Sequence, residues 1–302
     1  MKKAFTIGAI VVVLFCFTVR AFPWGSATHA YVIDQIMRKG GPPRLMYGAM
    51  SPDVFNYFFQ DLTLRDQLYA MTHFTSYMKV WDVSKGPSDR PSAFGFVSHN
   101  NEWGIDSTAH TSALTLPDHT KGYVIQKAEI LYNFYLEPLF TLMDIDADKG
   151  KEICHDLVET AIDLMIKYLD RNIGNRLVDS ARSSDKKMLD LLVKAYAQDV
   201  ATIADIPLDQ AIAIIAGNES GFRMAILSLG NALKLKAPND LNAVAAQLAG
   251  LADAAYQVQV DPGTVAQALQ AAMLVCSGDF VAEIMATVGF VQGKLAENNI
   301  IY

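Results

Sequence analysis

The chain has 302 residues, a formal net charge of −7 and 51% hydrophobic residues. This length suits one large domain or two small ones, and the hydrophobic fraction is sufficient for a large core. The negative charge disfavours nucleic acid and anionic membranes as partners, because both are polyanions. The three cysteines exclude a disulfide-rich scaffold, and their spacing does not match a zinc ribbon or finger.

Residues 1–21 have the layout of a secretory signal. Two lysines precede an apolar run from Ala4 to Phe17, and residues 19–21 have the small-residue spacing of a cleavage site. The apolar run is shorter than the roughly 20 residues that span a bilayer, which favours cleavage over a permanent anchor. We expect a secreted or periplasmic protein that starts at Phe22. Removal of three positive charges and no negative ones brings its net charge to −10.

Beyond the signal, apolar residues recur at helical spacing almost throughout the chain. Helical stretches are predicted over Thr28–Met37, Asp61–Val80, Phe94–Thr111, Tyr123–Met143 and Lys151–Leu169, with a loop at residues 85–91 and an acidic capping turn at Asp144–Asp148. Further helix starts are predicted at Ser184-Asp185, Asp205-Ile206-Pro207, Asn239-Asp240 and Asp261-Pro262. No strand pattern of useful length occurs, so the predicted fold class is all-α.

A change in composition near residues 180–205 leaves the domain organisation open. In one interpretation, residues 22–180 form a helical domain and residues 181–302 form a separate Ala-rich helical region. In the other, the Ala-rich helices are a second layer of the same domain.

The segment His99–His110 holds two histidines and two carboxylates. On a helix, offsets of seven and eleven residues return to within about 20° of the starting direction. His99, Asp106 and His110 are therefore predicted to line one stripe, with Glu102 beside it. Imidazole nitrogen and carboxylate oxygen are ligands that zinc prefers. The stripe extends over about 16 Å, which favours two or more ions over one.

The other candidate ligands are ambiguous when taken one at a time. His155 and Glu159 lie one helical turn apart, a spacing that suits either a metal or a surface hydrogen bond. His29 and His73 are each compatible with a metal ligand or with a hydrogen-bonded core residue. Asp53, directly after a proline, is compatible with a ligand or with a helix cap.

In order and type, these residues resemble the zinc-dependent phospholipase C family and, more distantly, the P1/S1-type nucleases. The resemblance rests on Trp24-Gly25 followed by His29, the turn Gly48–Asp53, His73, the set His99, Asp106 and His110, and the pair His155 and Glu159. It covers roughly residues 24–165 and does not reach the C-terminal third.

The resemblance implies two to three zinc ions. His29 and the backbone of Trp24 would hold one ion, Asp53, His73 and His99 a second, and His110, His155 and Glu159 a third, with Asp106 bridging the first two. A metal-bound hydroxide would attack phosphorus, and Asp53 would assist as general base. The family has an aspartate four residues after the first helix histidine, where this chain has Trp103. Glu102 is therefore the alternative to Asp106 as the bridge.

The function implied is phospholipase C-type cleavage of phospholipid head groups, with peripheral membrane contact. Glu159 and the aromatic residues at positions 55–59 favour a lipid substrate, whereas the short spacing from Trp24 to His29 is typical of the nuclease branch. The acidic charge makes nucleic acid the less favoured partner. A further alternative, suggested by Trp103, is a degenerate member that binds metal or a partner protein without catalysis.

Overall fold

The computed structural model describes residues 24–302, without residues 39, 59, 184 and 257 and without the side chains of residues 185 and 254–256. The predicted export signal, residues 1–21, lies outside the described residues. The described chain is all-helical, which confirms the predicted fold class. The α-helices are α1 (Ser26–Ile36), α2 (Pro43–Met50), α3 (Leu62–Ala70), α4 (Met78–Val83), α5 (Arg90–His99), α6 (Ile105–His110), α7 (Tyr123–Leu131), α8 (Glu137–Leu142), α9 (Ala147–Leu169), α10 (Ile173–Ser183), α11 (Asp185–Ala204), α12 (Leu208–Leu233), α13 (Asn239–Tyr256), α14 (Pro262–Cys276) and α15 (Phe280–Glu297). A 3₁₀ helix covers Ser51–Tyr57, and π-helical turns cover Met71–Thr75 and Tyr132–Leu136.

Several helices begin at the residues that the sequence marks as caps. Asp146 accepts a hydrogen bond from the backbone N–H of Lys149 at the start of α9, so the acidic turn caps this helix as predicted. Asp261 does the same for Thr264 at the start of α14. In both cases a carboxylate satisfies a backbone donor that has no partner within the first turn.

The prediction of continuous helix over Phe94–Thr111 is wrong. The stretch divides into α5 and α6. Between them, Asn100 Oδ1 accepts the backbone N–H groups of Glu102, Trp103 and Gly104 at 2.9, 2.9 and 3.2 Å. These side-chain bonds replace the helical ladder and end α5.

Two other predicted stretches change their helical pitch, and the first of them is also interrupted at Ser76 and Tyr77. Asp61–Val80 contains the π-helical turn Met71–Thr75 between α3 and α4, and Tyr123–Met143 contains the turn Tyr132–Leu136 between α7 and α8. Apolar periodicity reports that a segment is helical, but it is too coarse to locate a single wide turn.

One hydrophobic core runs through both the N-terminal and the C-terminal helices. Helix α12 packs against α10, α11 and the 3₁₀ helix, α14 packs against α9, and α15 packs against α1. The ring of Phe222 in α12 lies 5.8 Å from the rings of Tyr47 and Tyr57. Cys154 and Cys276 are buried free thiols, so the packing of these helices does not depend on a disulfide between them.

Among the described residues, α12 is long and apolar enough to cross a membrane, and the bent pair α14 and α15 passes the same test when the two are taken together. Core helices of soluble proteins can have the same length and apolar composition. In α12, Phe222 and Ile226 are almost fully buried, whereas Met224 is 62% exposed.

Candidate metal centre

Six elements of the fold bring the predicted ligands together. His29 lies in α1, Asp53 in the 3₁₀ helix, His73 in a π-helical turn and His99 at the end of α5, while Asp106 and His110 are in α6 and His155 and Glu159 are in α9. They form two sets, called here the five-residue group (His29, Asp53, His73, His99, Asp106) and the three-residue group (His110, His155, Glu159). Within each of three subsets, His29-Asp53-His99, His73-His99-Asp106 and His110-His155-Glu159, one ligand atom per residue lies within 4.8 Å of the others.

The ring nitrogens of His73 and His99 face each other inside the five-residue group. Their Nε2 atoms are 3.0 Å apart. His99 Nδ1 donates to the carbonyl of Ala49 at 2.7 Å, and His73 Nδ1 lies 3.0 Å from the carbonyl of Tyr69 and 2.9 Å from the hydroxyl oxygen of Thr72. A carbonyl only accepts, so each Nδ1 carries a proton and each neutral ring points an Nε2 lone pair at the other. Two lone pairs at this distance repel, and a shared cation turns the contact into an attraction.

Asp106 lies between the histidines of the five-residue group. Its Oδ1 is 2.9 Å from His29 Nε2, and its Oδ2 is 2.9 Å from His99 Nε2 and 3.7 Å from His73 Nε2. Both oxygens are buried, and none of these three contacts has hydrogen-bond geometry. Nitrogen and oxygen atoms that lie this close without a hydrogen bond between them are suited to binding a common metal ion. Asp106 would therefore offer one oxygen on each side to bound metal, and its role as a bridge remains a prediction.

Asp53 completes the five-residue group from the 3₁₀ helix. Its Oδ1 is 3.3 Å from His73 Nε2 and 3.7 Å from His99 Nε2. The same oxygen accepts a hydrogen bond from Asn56 Nδ2 at 2.8 Å, which holds the carboxylate in this orientation.

The three-residue group is also closely spaced, but its His155 and Glu159 side chains are within hydrogen-bond geometry of each other. His155 Nε2 is 2.7 Å from Glu159 Oε1, and His110 Nε2 is 3.2 Å from His155 Nε2 and 3.5 Å from Glu159 Oε1. His110 Nδ1 donates to Asn101 Oδ1 at 2.8 Å, so its Nε2 is free to bind an ion. This is the set that the resemblance assigns to one zinc.

The carboxylates of both groups are costly to ionise where they lie. Burial raises the pKa of Asp106 and Glu159 well above its usual range and raises the pKa of Asp53 to about 7. In the described part of the chain, no lysine or arginine forms a salt bridge with any of the three. A buried carboxylate ionises only with a compensating positive charge nearby.

The histidines cannot readily supply that charge. Burial lowers the pKa of His29, His99 and His110, and neighbouring histidines lower it further for His29 and His110. Neutral imidazole is also the form that ligates metal. The buried His, Asp and Glu residues can therefore hold a metal ion, and a cation at these positions satisfies both the acids and the facing lone pairs.

The single-helix stripe predicted for His99, Asp106 and His110 is wrong in detail, although the structure brings all three into the centre. His99 ends α5, and Asp106 and His110 lie one turn apart in α6. Glu102, the alternative bridge, is exposed and accepts a hydrogen bond from Tyr77 at 2.7 Å. Trp103 packs edge-on against the ring of Tyr77. The turn thus directs both residues away from Asp106.

Trp24 is fully buried beside the centre. Its Nε1 donates to Thr108 Oγ1 at 3.1 Å, and its ring stacks on Tyr123 with centroids 5.5 Å apart. The indole therefore anchors the start of the described chain to α6 and α7. The predicted role of its backbone as a ligand remains a prediction.

Two residues that support the ligands were not singled out in the sequence. Asn101 accepts from His110 and donates to the hydroxyl of Tyr69, whose ring stacks on His73 at 3.8 Å. Asn101 thereby connects the two groups. Its position two residues after His99 was a weak signal, because asparagine is common in turns.

Asp163 is the second supporting residue. It accepts from the backbone N–H groups of Ala27 and Thr28 at 3.0 and 2.8 Å and so caps the helix that carries His29. A side chain at Gly25 would collide with it, since a Cβ there would lie 2.4 Å from Asp163 Cγ. Asp163 follows Glu159 by one helical turn, and this spacing was the available signal.

A cavity of about 320 Å³ opens beside both ligand groups. Asp53 of the five-residue group and Glu159 of the three-residue group both line it. Asp156 and Asp163 add two further carboxylates to the lining. Helices α12 and α13 contribute seven apolar residues: Phe222, Ala225, Ile226, Leu229, Val244, Leu248 and Leu251. The other lining residues are Trp24, Gly25, Ser26, Tyr57, Thr160, Ser228, Gln247 and Gly250.

Comparison with family models, with curated proteins and with solved structures finds no match for this chain. The all-α fold and the convergence of the buried ligands are properties of the structure. The resemblance to zinc-dependent phospholipases C rests on the motifs alone.

Proposed function

We propose that this protein is an exported, multi-zinc phosphodiester hydrolase of the phospholipase C type. The observation that carries the proposal is the convergence of five histidines and three carboxylates, two of which, Asp53 and Glu159, line a cavity that also has many apolar lining residues. Both groups consist of nitrogen and oxygen donors, which zinc accepts. Their separation into two sets supports two to three ions.

Bound zinc would act as a Lewis acid on phosphate oxygen and lower the pKa of a coordinated water. The protein's own residues prepare the site for this chemistry. Ala49, Tyr69 and Asn101 fix the tautomers of three ligating histidines through Nδ1, so that each Nε2 is available. Asp53 faces the cavity from within the five-residue group, and we propose it as the general base.

The cavity lining favours lipid over nucleic acid as the substrate. Four carboxylates line the cavity, and among the lining residues there is no lysine or arginine. A nucleic acid backbone requires cationic contacts for affinity, and this lining offers none to it. The apolar side chains of α12 and α13 suit the glycerol and acyl part of a phospholipid. Peripheral contact with a lipid surface belongs to the same proposal.

Metal analysis tests the proposal first. Protein purified without chelator should contain at least two zinc ions per chain, and a lower content would contradict the catalytic assignment. The zinc-loaded protein should release phosphocholine from phosphatidylcholine and leave single-stranded DNA intact. DNA cleavage would instead identify a nuclease, and metal without either activity would identify a non-catalytic metal-binding protein.

A pair of histidine variants tests the ligand assignment. His110→Ala should reduce the activity to background, because it removes one of three ligands of the three-residue group. The control is His119→Ala, since His119 contacts the carbonyl of Ala113 and lies outside both groups. Activity that survives in His110→Ala would contradict the assignment.

A further inference from the structure

A second cavity, of about 80 Å³, lies next to the first. Its walls come from α8, α9, α13 and α14. Except for Asp156 and Thr264, every lining side chain is apolar. A cavity with so few polar groups does not hold ordered water well, because water needs two to four polar partners.

The two cavities are neighbours. Asp156, Leu248 and Leu251 line both of them. Asp156 follows His155 directly and lies one turn before Glu159, so the shared wall begins beside the three-residue group. Leu248 and Leu251 continue this wall along α13. Leu248 and Leu251 therefore form an apolar boundary between the first cavity, which Asp53 and Glu159 line, and the second cavity.

We propose that the second cavity is an acyl-chain subsite, which receives the end of one fatty acyl chain of a substrate whose phosphate lies at the metal centre. This inference rests on the proposed function, and it assigns a role to helices that the motif resemblance does not reach. The cavity has a quarter of the volume of the first, so it accepts the end of a chain and excludes a head group. Its apolar lining favours hydrocarbon, since burying methylene groups is the available source of binding energy.

Such a subsite should make kcat/KM depend on the length of the substrate's acyl chains. Each methylene that enters it should improve binding about fourfold, and the improvement should stop when the cavity is full. Phosphatidylcholines with chains of about four to eight carbons, used below their micellar concentrations, report this dependence as kcat/KM.

Filling the cavity tests the inference. Ala268 in α14 is buried in its wall, so Ala268→Leu should abolish the chain-length dependence and lower kcat/KM for the eight-carbon substrate by about tenfold or more. Activity on a soluble phosphodiester without acyl chains should not change. Gln270→Leu, on the exposed side of the same helix, is the matched control and should behave like the wild type. An unchanged dependence in Ala268→Leu would overturn the inference.

Two further measurements keep the test decisive. Ala252→Phe fills the cavity from α13 and replaces Ala268→Leu if that variant fails to fold. Octanol binding, measured by calorimetry on zinc-free protein, does not require catalysis. Wild-type binding that is lost in the filled variants supports the subsite even without hydrolytic activity, whereas equal binding in all of them overturns it. Absence of hydrolysis of the soluble ester would count against the proposed function alone.

Discussion

At the scale of single residues, the hydrogen bonds behind the ligands are as informative as the ligands themselves. Three histidines donate Nδ1 protons to fixed acceptors, so the direction of each Nε2 lone pair is set before any ion arrives. Asn101 supports two histidine rings, because it accepts the Nδ1 proton of His110 and also holds Tyr69 against the ring of His73. Such supporting residues tune metal affinity although they do not touch the ion.

Asn101→Ala is expected to weaken zinc binding at the three-residue group by about 10- to 100-fold, because His110 loses the acceptor that fixes its tautomer. Competition with a chromogenic chelator measures the affinity. Asn242→Ala, at an exposed position of α13, is the control. Equal affinities in the two variants would show that Asn101 does not position His110.

The ionisation of the buried acids gives a pH-dependent prediction. Asp53 has a pKa of about 7 in the folded protein, and the pKa values of Asp106 and Glu159 are also raised, whereas all three are near 4 in an unfolded chain. The folded state therefore holds extra protons, and the stability they provide is lost as pH rises through the folded pKa values.

Between about pH 7 and pH 8.5, zinc-free protein should thus become less stable by roughly 1.4 kcal/mol per pH unit for each carboxyl group that is still protonated in the folded protein, whereas Asp53, with its pKa of about 7, contributes mainly below pH 7. Histidines contribute little there, because they are already neutral in the unfolded chain. Urea unfolding at several pH values measures the effect. Added zinc should abolish this dependence of the free energy of unfolding on pH. An identical pH dependence with and without zinc would contradict a metal role for these acids.

At the scale of helices and turns, breaks and wide turns in the helices position the candidate ligands. The turn held by Asn100 separates His99 from Asp106, so that a carboxylate from α6 can face a histidine from α5. A π-helical turn carries His73, and such wide turns are frequent at functional sites. The second π-helical turn, before α8, exposes Phe134, while Leu142 of α8 is also exposed. Leu136 and Phe140 of the same segment line the second cavity.

The exposed side chains of this segment should contact lipid. Phe134 and Leu142 are 78% and 84% exposed, and the double variant Phe134→Ser, Leu142→Ser should weaken binding to neutral phosphatidylcholine vesicles about tenfold or more. Sedimentation with vesicles measures binding. Tyr168→Ser is the control, since Tyr168 is 74% exposed near the other end of α9, about 30 Å along the helix from Ala147. Equal losses in both variants would argue against a specific contact.

At the scale of the whole molecule, the C-terminal helices pack against the elements that surround the candidate metal centre. Thr287 of α15 bonds to Thr108, which also holds the indole of Trp24. Glu283 of the same helix accepts the backbone N–H groups of Leu114 and Thr115 just beyond α6. Helix α12 meets α10 where Gly230 and Gly174 allow backbone contact. Helices α12 and α15 of the Ala-rich region thus contact elements that carry ligands or support them.

The close contact of α10 and α12 predicts one cooperative unit. A Cβ at Gly230 would lie 2.9 Å from the carbonyl oxygen of Gly174, so Gly230→Ala should destabilise the whole chain by roughly 1–3 kcal/mol. Gly217→Ala, in the same helix with open space around it, should be neutral or stabilising by up to about 1 kcal/mol. Urea unfolding should show a single transition in both variants, and two separate transitions would indicate two domains.

The helical class and several caps could be predicted from the sequence, because they depend on local periodicity and side-chain chemistry, and the candidate ligands from the order of the motifs. The Asn100 turn could not be located, since a short polar side chain within an apolar helical pattern is compatible with a helix or with a turn. Tertiary packing turns Asp106 toward the histidines and Glu102 toward Tyr77. It also divides the ligands into two groups, supplies Asn101 and Asp163 as supports, and forms one cavity beside the ligands and a second cavity next to the first. These features arise where elements distant in the chain pack together, and the spacing of residues along one element carries no information about that packing.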